Sequence, residues 1–266
     1  MMKSLGSVLP EPQQSKCATH GEFSAVPMGG RVVCPKCHAE LEKAKTAAQN
    51  EVAEKRRLAG LRSLVYHSGV PPRFQSKTFD TFEAADERQT RVLRVCRAYA
   101  DRFDERHAAG GGLVMCGKVG TGKTHLACSI ANQIMAAGRS ALFIPVLAAV
   151  RRVKQTYAKG STETEQDAIG KFFVPDLLIV DEVGVQLGTA TEHNILFEII
   201  NGRYERVLPT ILLSNLTELE MEQTIGERVM DRMKEGGGVV LAFDWPSKRK
   251  DVKTASRDLP VWAQGK

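Results

Sequence analysis

The chain has 266 residues, enough for one α/β domain of ordinary size and a small additional module. Apolar residues make up 42% and charged residues 26% of it, which is the composition of a globular protein. The net charge of +6 permits a nucleic-acid partner without establishing one. No apolar run approaches the length of a membrane span and the first residues lack the apolar core of a secretory signal, so we expect a cytoplasmic protein without a membrane partner.

The N-terminal part carries two pairs of potential metal ligands. Residues 1–16 contain Pro, Ser and Gln and are predicted to be disordered. Cys17 and His20 then form one pair, and Cys34 and Cys37 form a second pair after thirteen intervening residues. This spacing fits one tetrahedral zinc site with three Cys ligands and one His ligand. A module this short has no core, so Zn²⁺ would supply its folding free energy.

Alternatives to the zinc site are free thiols in an unstructured tail, or His38 as the ligand in place of His20. The second is the poorer geometry, because His38 directly adjoins another ligand. Six cysteines in a cytoplasmic protein favour metal ligands or buried thiols over disulfides. Accordingly, Cys96, Cys116 and Cys128, which lie in apolar patterns, are predicted to be in the core.

A long charged segment follows the second pair. Residues 39–64 are rich in Ala, Glu and Lys and are predicted to form a helix with only a thin apolar stripe, suited either to partner docking or to a solvated connector. Residues 67–84 are predicted to be a connector, because two consecutive prolines break the helix. Its aromatic residues are expected to anchor it on the following domain, which begins with a helix predicted over residues 85–107.

The most informative stretch, residues 117–124, fits the phosphate-binding pattern G-x-x-x-x-G-K-[ST]. An apolar strand at 113–116 precedes it and a helix over 125–134 follows, which is the context that the pattern requires. Glycine backbone N–H groups and the helix N-terminus would bind phosphate, Lys123 would reach the β- and γ-phosphates, and Thr124 would hold Mg²⁺. The predicted ATP or ADP contacts are Gly117, Lys118, Val119, Gly120, Thr121, Gly122, Lys123, Thr124 and His125.

A second motif supports this interpretation. The apolar strand 177–180 ends in Asp181 and Glu182, at the carboxyl end where parallel sheets bind ligands. Asp181 is predicted to hold Mg²⁺ through water, and Glu182 to polarise an attacking water. We therefore expect ATP hydrolysis rather than binding alone. A solvated strand end is the alternative for both carboxylates.

Three further strands and their helices complete the predicted domain. The strands are predicted at 141–144, 210–214 and 239–243, and helices at 146–158 and 190–206. Asn215, after the strand at 210–214, is predicted to orient the attacking water or contact the γ-phosphate; a helix N-cap role for Asn215 or Thr217 is the alternative. Five strands alternating with helices predict a parallel sheet with helices on both faces, as in AAA+ P-loop ATPases.

The helix at 146–158 is a candidate single-stranded DNA contact. It carries Arg151, Arg152 and Lys154, with Tyr157 near its end, and cations beside an aromatic side chain suit single-stranded nucleic acid. The alternative is a solvated helix face. A polar loop is predicted over residues 160–166.

Residues 117–127, 180–186 and 226–233 closely resemble the DnaC-type replicative helicase loaders, and the resemblance extends over about 65–250. It implies a hexameric replicative helicase and single-stranded DNA as partners, and self-association in the ATP state. It also implies an arginine finger that reaches the nucleotide of a neighbouring subunit. The finger maps best to Arg232, with Arg228 as an alternative. The alternative for both arginines is an ordinary amphipathic helix face, with Glu227 and Asp231 as salt partners.

The sequence departs from the family in two ways. The zinc module is absent from the best-known cellular loader and resembles a phage or prophage version. The residues after the strand at 239–243 are too few for a three-helix lid, so no full C-terminal lid is predicted. The predicted organisation is a disordered N-terminus and zinc-binding module at 1–40, a docking helix and linker at 41–84, an AAA+ ATPase domain at 85–250 and an extension at 251–266.

The leading functional prediction is an ATPase that loads a hexameric helicase onto single-stranded DNA. A transposition helper ATPase, acting with a transposase, is the nearest alternative. A zinc-ribbon DNA-binding regulator with an incidental nucleotide switch is a third.

Overall fold

A computed structural model describes residues 12–25, 27, 32–184 and 189–248, with only the backbone described for 52–66. The chain divides into two compact units, Met1–Gly60 and Leu61–Lys266. In the described ranges, no helix has both the length and the apolar character needed to cross a membrane. The predicted extension at 251–266 lies outside the described residues.

The first unit contains a β-hairpin and the start of a long helix. Strands β1 (Gln13–Cys17) and β2 (Gly21–Ala25) pair antiparallel, with Cys17 opposite Gly21 at the turn. Residues 13–16 were therefore wrongly predicted to be disordered: their pairing with β2 gives them a partner that composition does not reveal. Helix α1 spans Pro35–His67 and begins four residues before the predicted start at 39, because proline is well suited to the first helical turn.

The second unit contains a five-stranded parallel sheet, which confirms the predicted fold class. Its strands are β3 (Leu113–Gly117), β4 (Ala141–Pro145), β5 (Leu177–Asp181), β6 (Thr210–Leu213) and β7 (Val239–Phe243). Their order across the sheet is β4-β5-β6-β3-β7. Because β6 lies between β5 and β3, the phosphate-binding loop after β3 and the acidic end of β5 flank the end of β6.

Eight helices of this unit lie in the described part of the chain. They are α2 (Glu87–Asp101), α3 (Phe103–Ala109), α4 (Lys123–Ala136), α5 (Val146–Lys154), α6 (Glu165–Gly170), α7 (Ala190–Glu205), α8 (Glu218–Ile225) and α9 (Glu227–Lys234). Capping boxes begin α6, α7 and α8 at Thr164, Thr189 and Thr217, where each threonine hydroxyl accepts a backbone N–H and a carboxylate bonds back. The N-cap role considered for Thr217 is thereby confirmed.

Three predicted boundaries were wrong. The helix predicted over 85–107 is two helices that break at Arg102. The helix predicted over 146–158 ends at Lys154 and tightens into a 3₁₀ turn, Gln155–Tyr157. The polar loop predicted over 160–166 already contains the start of α6, because the capping box at Thr164 begins a helix within it.

Helices cover both faces of the sheet and produce two apolar cores. One core includes residues of α2 and α4 with Phe79 and Phe82 of the connector, and the other includes residues of α5, α7 and α9. Phe79 and Phe82 are buried, which confirms that the connector is anchored by its aromatic residues. The predicted core positions of Cys96, Cys116 and Cys128 are also confirmed, since all three are buried.

A buried arginine joins the elements at the amino ends of β5 and β6. Arg203 of α7 is fully buried, and its guanidinium donates five hydrogen bonds. The acceptors are the Thr210 hydroxyl at 3.1 Å and the carbonyls of Phe172 at 2.7 Å, Pro175 at 3.0 Å, Asp176 at 3.2 Å and Pro209 at 2.7 Å. Burial lowers the pKa of Arg203 to about 9, so the side chain stays protonated at neutral pH. All five guanidinium donors are satisfied.

We expect Arg203→Lys to lower the free energy of unfolding by about 2–4 kcal/mol. The ammonium has three donors, so buried carbonyls lose their partners although the charge is kept. Urea denaturation measures the change. Arg152→Lys on the exposed face of α5 is the matched control and should change stability by less than about 0.5 kcal/mol. Equal stability of the two variants would show that Arg203 is not essential to the packing of these strands.

Candidate nucleotide site and metal centre

The phosphate-binding loop lies between β3 and α4, as predicted. Gly117 ends the strand and Gly122 precedes the helix, with φ of 121° and 101°. This left-handed region disfavours residues with a side chain. At Gly117 there is also no space for one, because a Cβ would lie 2.5 Å from the carbonyl oxygen of Phe243. Both glycines are therefore required by the backbone path of the loop.

The side chain of Lys123 folds over this loop. Its ammonium donates to the carbonyls of Gly117 and Lys118, each at 2.7 Å, and the residue is buried. Phosphate oxygens carry more negative charge than these carbonyls, and charge-assisted bonds are stronger. The lysine is thus held at the loop, where a bound phosphate would compete for it.

One hydrogen bond joins the two nucleotide motifs, which are 57 residues apart. The Thr124 hydroxyl donates to Asp181 Oδ2 at 3.2 Å. A hydroxyl and a carboxylate at this position are the residue types that hold Mg²⁺ in P-loop ATPases. Burial raises the pKa of Asp181, the neighbouring Glu182 carboxylate adds to the rise, and Lys123 opposes it. A cation would stabilise this partly buried carboxylate, so the donor set fits Mg²⁺.

Glu182 has an unusual backbone conformation. Its φ is 61°, in the left-handed region, and its N–H donates to Asp181 Oδ1 at 2.7 Å. Holding a residue other than glycine in this conformation costs of order 1–3 kcal/mol of folding free energy, which interactions with the surrounding residues must offset. The carboxylate itself belongs to an exposed residue.

Ser214 fixes the turn that follows Glu182. Its buried hydroxyl donates to the carbonyl of Val183 and accepts the N–H of Leu216. The N–H of Val183 also donates to the carbonyl of Leu213 at 2.9 Å. Sequence reasoning missed Ser214; a serine at the end of an apolar strand was its only signal.

The other predicted catalytic residues lie on β6 and α9. Asn215 follows β6 and is exposed, at the edge of the sheet that also carries the phosphate-binding loop. Arg228 is exposed on α9. Arg232 lies against α7, with its guanidinium carbon 5.6 Å from the Phe197 ring centroid and 5.1 Å from that of Tyr204. Its partners are thus aromatic rings, and its Nη1 is buried without a hydrogen-bond partner among the described residues.

Of the four residues predicted to contact DNA, two bond to neighbouring carboxylates. Arg151 and Arg152 are exposed on α5. Lys154 forms an ion pair with Glu192 at 3.2 Å, and the Tyr157 hydroxyl donates to the Glu165 carboxylate. The two arginines are therefore the stronger candidates for binding phosphate groups.

The predicted zinc ligands come together in the first unit. One ligand atom from each of Cys17, His20, Cys34 and Cys37 lies within 4.8 Å of all the others. The Sγ atoms of Cys17 and Cys37 are 3.4 Å apart, and His20 Nδ1 is 3.2 Å from the second of them. The hairpin turn supplies the first pair, and the second pair lies at the start of α1. Three thiols and an imidazole are suitable ligands for Zn²⁺.

The charges in this cluster also suit a cation. Hydrogen bonds from the backbone N–H groups of Thr19 and His20 lower the pKa of Cys17 to about 6. The hydrogen bond between Cys37 and Cys17 raises the pKa of Cys37 to about 12. A divalent cation bound between these two thiols would favour the ionised form of both. Glu40 was missed by the sequence reasoning: its carboxylate accepts from His20 Nε2 at 3.1 Å, so Nδ1 faces the sulfurs.

We expect purified protein to contain about one zinc per chain. Cys34→Ser should abolish the retention of zinc during purification. Glu40→Gln should weaken zinc binding about tenfold, because His20 is then less firmly oriented. Metal analysis and competition with a chelator measure both effects. Glu42→Gln, on the exposed face of α1, is the matched control. Protein prepared without chelator but free of zinc would contradict the site.

Known proteins identify the family. A model of the family described as IstB-like ATP binding protein matches residues 39–234. The chain belongs to this family. Its similarity to the DnaC-type proteins, inferred from three motifs, is confirmed by curated relatives and by solved structures.

Two relatives, both called replicative helicase loader DnaC, match most of the chain. The protein of Buchnera aphidicola (subsp. Acyrthosiphon pisum, strain APS) is 31% identical over 212 residues, which are 80% of this chain and 85% of the relative. The protein of Escherichia coli (strain K12) is 36% identical over 185 residues, which are 70% of this chain and 74% of the relative.

Solved structures share the AAA+ fold of the second unit. A crystal structure of the DnaC helicase loader has a TM-score of 0.57 at 22% identity, covering 65% of this chain and 99% of that one. The replication initiator DnaA bound to AMPPCP and single-stranded DNA has a TM-score of 0.55 at 20% identity, covering 66% of this chain and 51% of that one.

Proposed function

We propose that this protein is an ATPase that loads a hexameric replicative helicase onto single-stranded DNA. The observation that carries the proposal is the contact between Thr124 and Asp181, which assembles a nucleotide site in a chain 36% identical to a protein named as a helicase loader. A switch is needed for such a task because the loader must bind its partner and later release it. ATP binding and hydrolysis supply two states of the same site.

The residues of the site divide the work of hydrolysis. Backbone N–H groups of the loop and the Lys123 ammonium bind the phosphates. Thr124 and Asp181 would hold Mg²⁺, which neutralises phosphate charge when bound. Glu182 accepts a proton from the attacking water, and Asn215 orients that water from the end of β6. The products are ADP and phosphate.

An arginine of α9 completes the site of a neighbouring subunit. Motif position favours Arg232, which would have to leave the rings of Phe197 and Tyr204 to reach a nucleotide. Arg228, already exposed, is the alternative. Either arrangement requires self-association in the ATP state, since a finger acts on the phosphate of another chain.

The partners are assigned to different parts of the chain. Arg151 and Arg152 on α5 supply exposed positive charge for the phosphates of single-stranded DNA. The nucleotide motifs all lie in the second unit, so the zinc module of the first is assigned a different task. A metal-stabilised module that is compact by itself suits docking to the helicase.

A transposition helper ATPase remains the second candidate function. The family model that matches the chain is described as IstB-like, and that family includes such helpers. The two functions differ in the protein partner, a ring helicase in one and a transposase in the other.

For the nucleotide chemistry, we expect Glu182→Gln to bind ATP normally and to hydrolyse it at least about a hundredfold more slowly, because an amide cannot accept the proton. Lys123→Ala should lose ATP binding. Nucleotide affinity and steady-state phosphate release measure the two effects. Glu105→Gln, exposed on α3, is the control and should match the unmodified protein. An unchanged rate in Glu182→Gln would remove Glu182 from its role.

To test the partner, we expect the full-length protein to co-sediment with the cognate hexameric helicase in the presence of ATP. Removing residues 1–60, the whole first unit, should abolish binding while ATP hydrolysis persists. Cys34→Ser in the full chain is the companion variant and should weaken binding through loss of zinc. Undiminished helicase binding by the truncated protein would refute the docking assignment. Absence of binding by the full chain, together with binding to a transposase, would favour the second function.

A further inference from the structure

The segment that follows β7 lies along the phosphate-binding loop. We call residues 244–248 the strap. The indole Nε1 of Trp245 donates to the carbonyl of Thr121 at 3.0 Å, and the backbone N–H of Lys248 donates to the carbonyl of Gly120 at 2.7 Å. Just before the strap, the carbonyl of Phe243 accepts the N–H of Lys118 at 2.9 Å. Three hydrogen bonds thus reach the loop from one short stretch of chain.

The direction of these bonds matters for phosphate binding. In a planar trans peptide, the C=O of one residue and the N–H of the next point in opposite directions. Donors that hold the carbonyls of Gly120 and Thr121 therefore turn the N–H groups of Thr121 and Gly122 away from the strap. Those N–H groups belong to the glycine-rich loop that binds phosphate through its backbone.

The strap is itself well fixed. Trp245 is 1% exposed, and its ring centroid lies 4.9 Å from that of Phe243. Asp244 forms an ion pair with Arg88 of α2 at 3.3 Å. At the other end, the Lys248 ammonium lies 3.9 Å from the centroid of the Phe82 ring. A buried anchor between two surface contacts holds the donors in place.

The connector meets the same loop beside the strap. A Cβ at Gly122 would lie 2.6 Å from Cε2 of Phe82. The Phe82 ring also packs edge-on against His125, with centroids 5.5 Å apart. Strap and connector together thus leave the loop little room to move.

We infer that Trp245 is a positioning residue of the nucleotide site, and that the strap keeps the loop amides oriented for phosphate. This inference rests on the proposed nucleotide site and adds to it a residue that acts through the backbone of the phosphate-binding loop. Because the strap itself bonds to the loop backbone, the loop can be positioned without a lid domain.

The test removes the indole donor and keeps an aromatic ring. Trp245→Phe should raise the dissociation constants of ATP and ADP about tenfold, the effect of one lost hydrogen bond, and raise KM more than it lowers kcat. Tyr99→Phe is the matched control, since its buried hydroxyl donates to the carbonyl of Gly111 at 2.9 Å, outside the loop. It should lower the melting temperature similarly without changing nucleotide affinity. Calorimetric titration with each nucleotide measures the affinities.

A second pair of variants isolates the other bond. Lys248→Pro removes the backbone N–H that binds Gly120, whereas Lys248→Ala keeps it and removes only the ammonium. Position 248 is exposed, so both variants should fold. Weaker ATP binding in the proline variant than in the alanine variant is the expected result.

The outcomes separate the inference from the proposed function. Unchanged ATP affinity in both Trp245→Phe and Lys248→Pro, with a lowered melting temperature, would make Trp245 a core residue only and overturn the inference. Failure of the unmodified protein to bind ATP more tightly than Lys123→Ala would instead overturn the nucleotide site itself.

Discussion

The hydrogen bond between the Thr124 hydroxyl and the Asp181 carboxylate is the contact on which the nucleotide site depends. It joins the start of α4 to the end of β5, and it exists because β6 alone separates β5 from β3 in the sheet. Parallel strands bring their carboxyl ends to one edge, so residues far apart in sequence become neighbours there. Each further part of the site is arranged around this edge.

The charged side chains at the two ends of the sheet differ in their surroundings. At the amino end, Arg203 satisfies all five of its donors with backbone carbonyls and one hydroxyl, and it requires nothing further. At the carboxyl end, burial raises the pKa of Asp181, and Glu182 has a strained backbone. The charge at the amino end thus has all its hydrogen-bond partners within the protein, whereas a cation and a nucleotide would add partners for the charged groups at the carboxyl end.

The cluster of Cys17, His20, Cys34 and Cys37 is also supported by a residue outside it. The sulfurs of Cys17 and Cys37 are 3.4 Å apart, and a divalent cation would favour ionisation of both thiols. Glu40 orients His20 from outside the cluster, just as Ser214 orients the turn after Glu182 and Trp245 holds the phosphate-binding loop. In each case a residue outside the site limits the freedom of a residue within it.

Local pattern was sufficient for much of this protein. The apolar runs before Gly117 and Asp181 predicted their strands, and the motif at 117–124 predicted the loop between β3 and α4, because each depends on residues close together in sequence. The spacing of Cys17 and His20 predicted that these side chains would lie together, as they do. Tertiary structure alone decided the acceptors of Arg203, the stacking of Arg232 on α7, and the bonds of Ser214 and Trp245 to backbone carbonyls. Every residue has such a carbonyl, so the sequence contains no sign of which one a distant donor will reach; only the folded arrangement of strands and helices selects it.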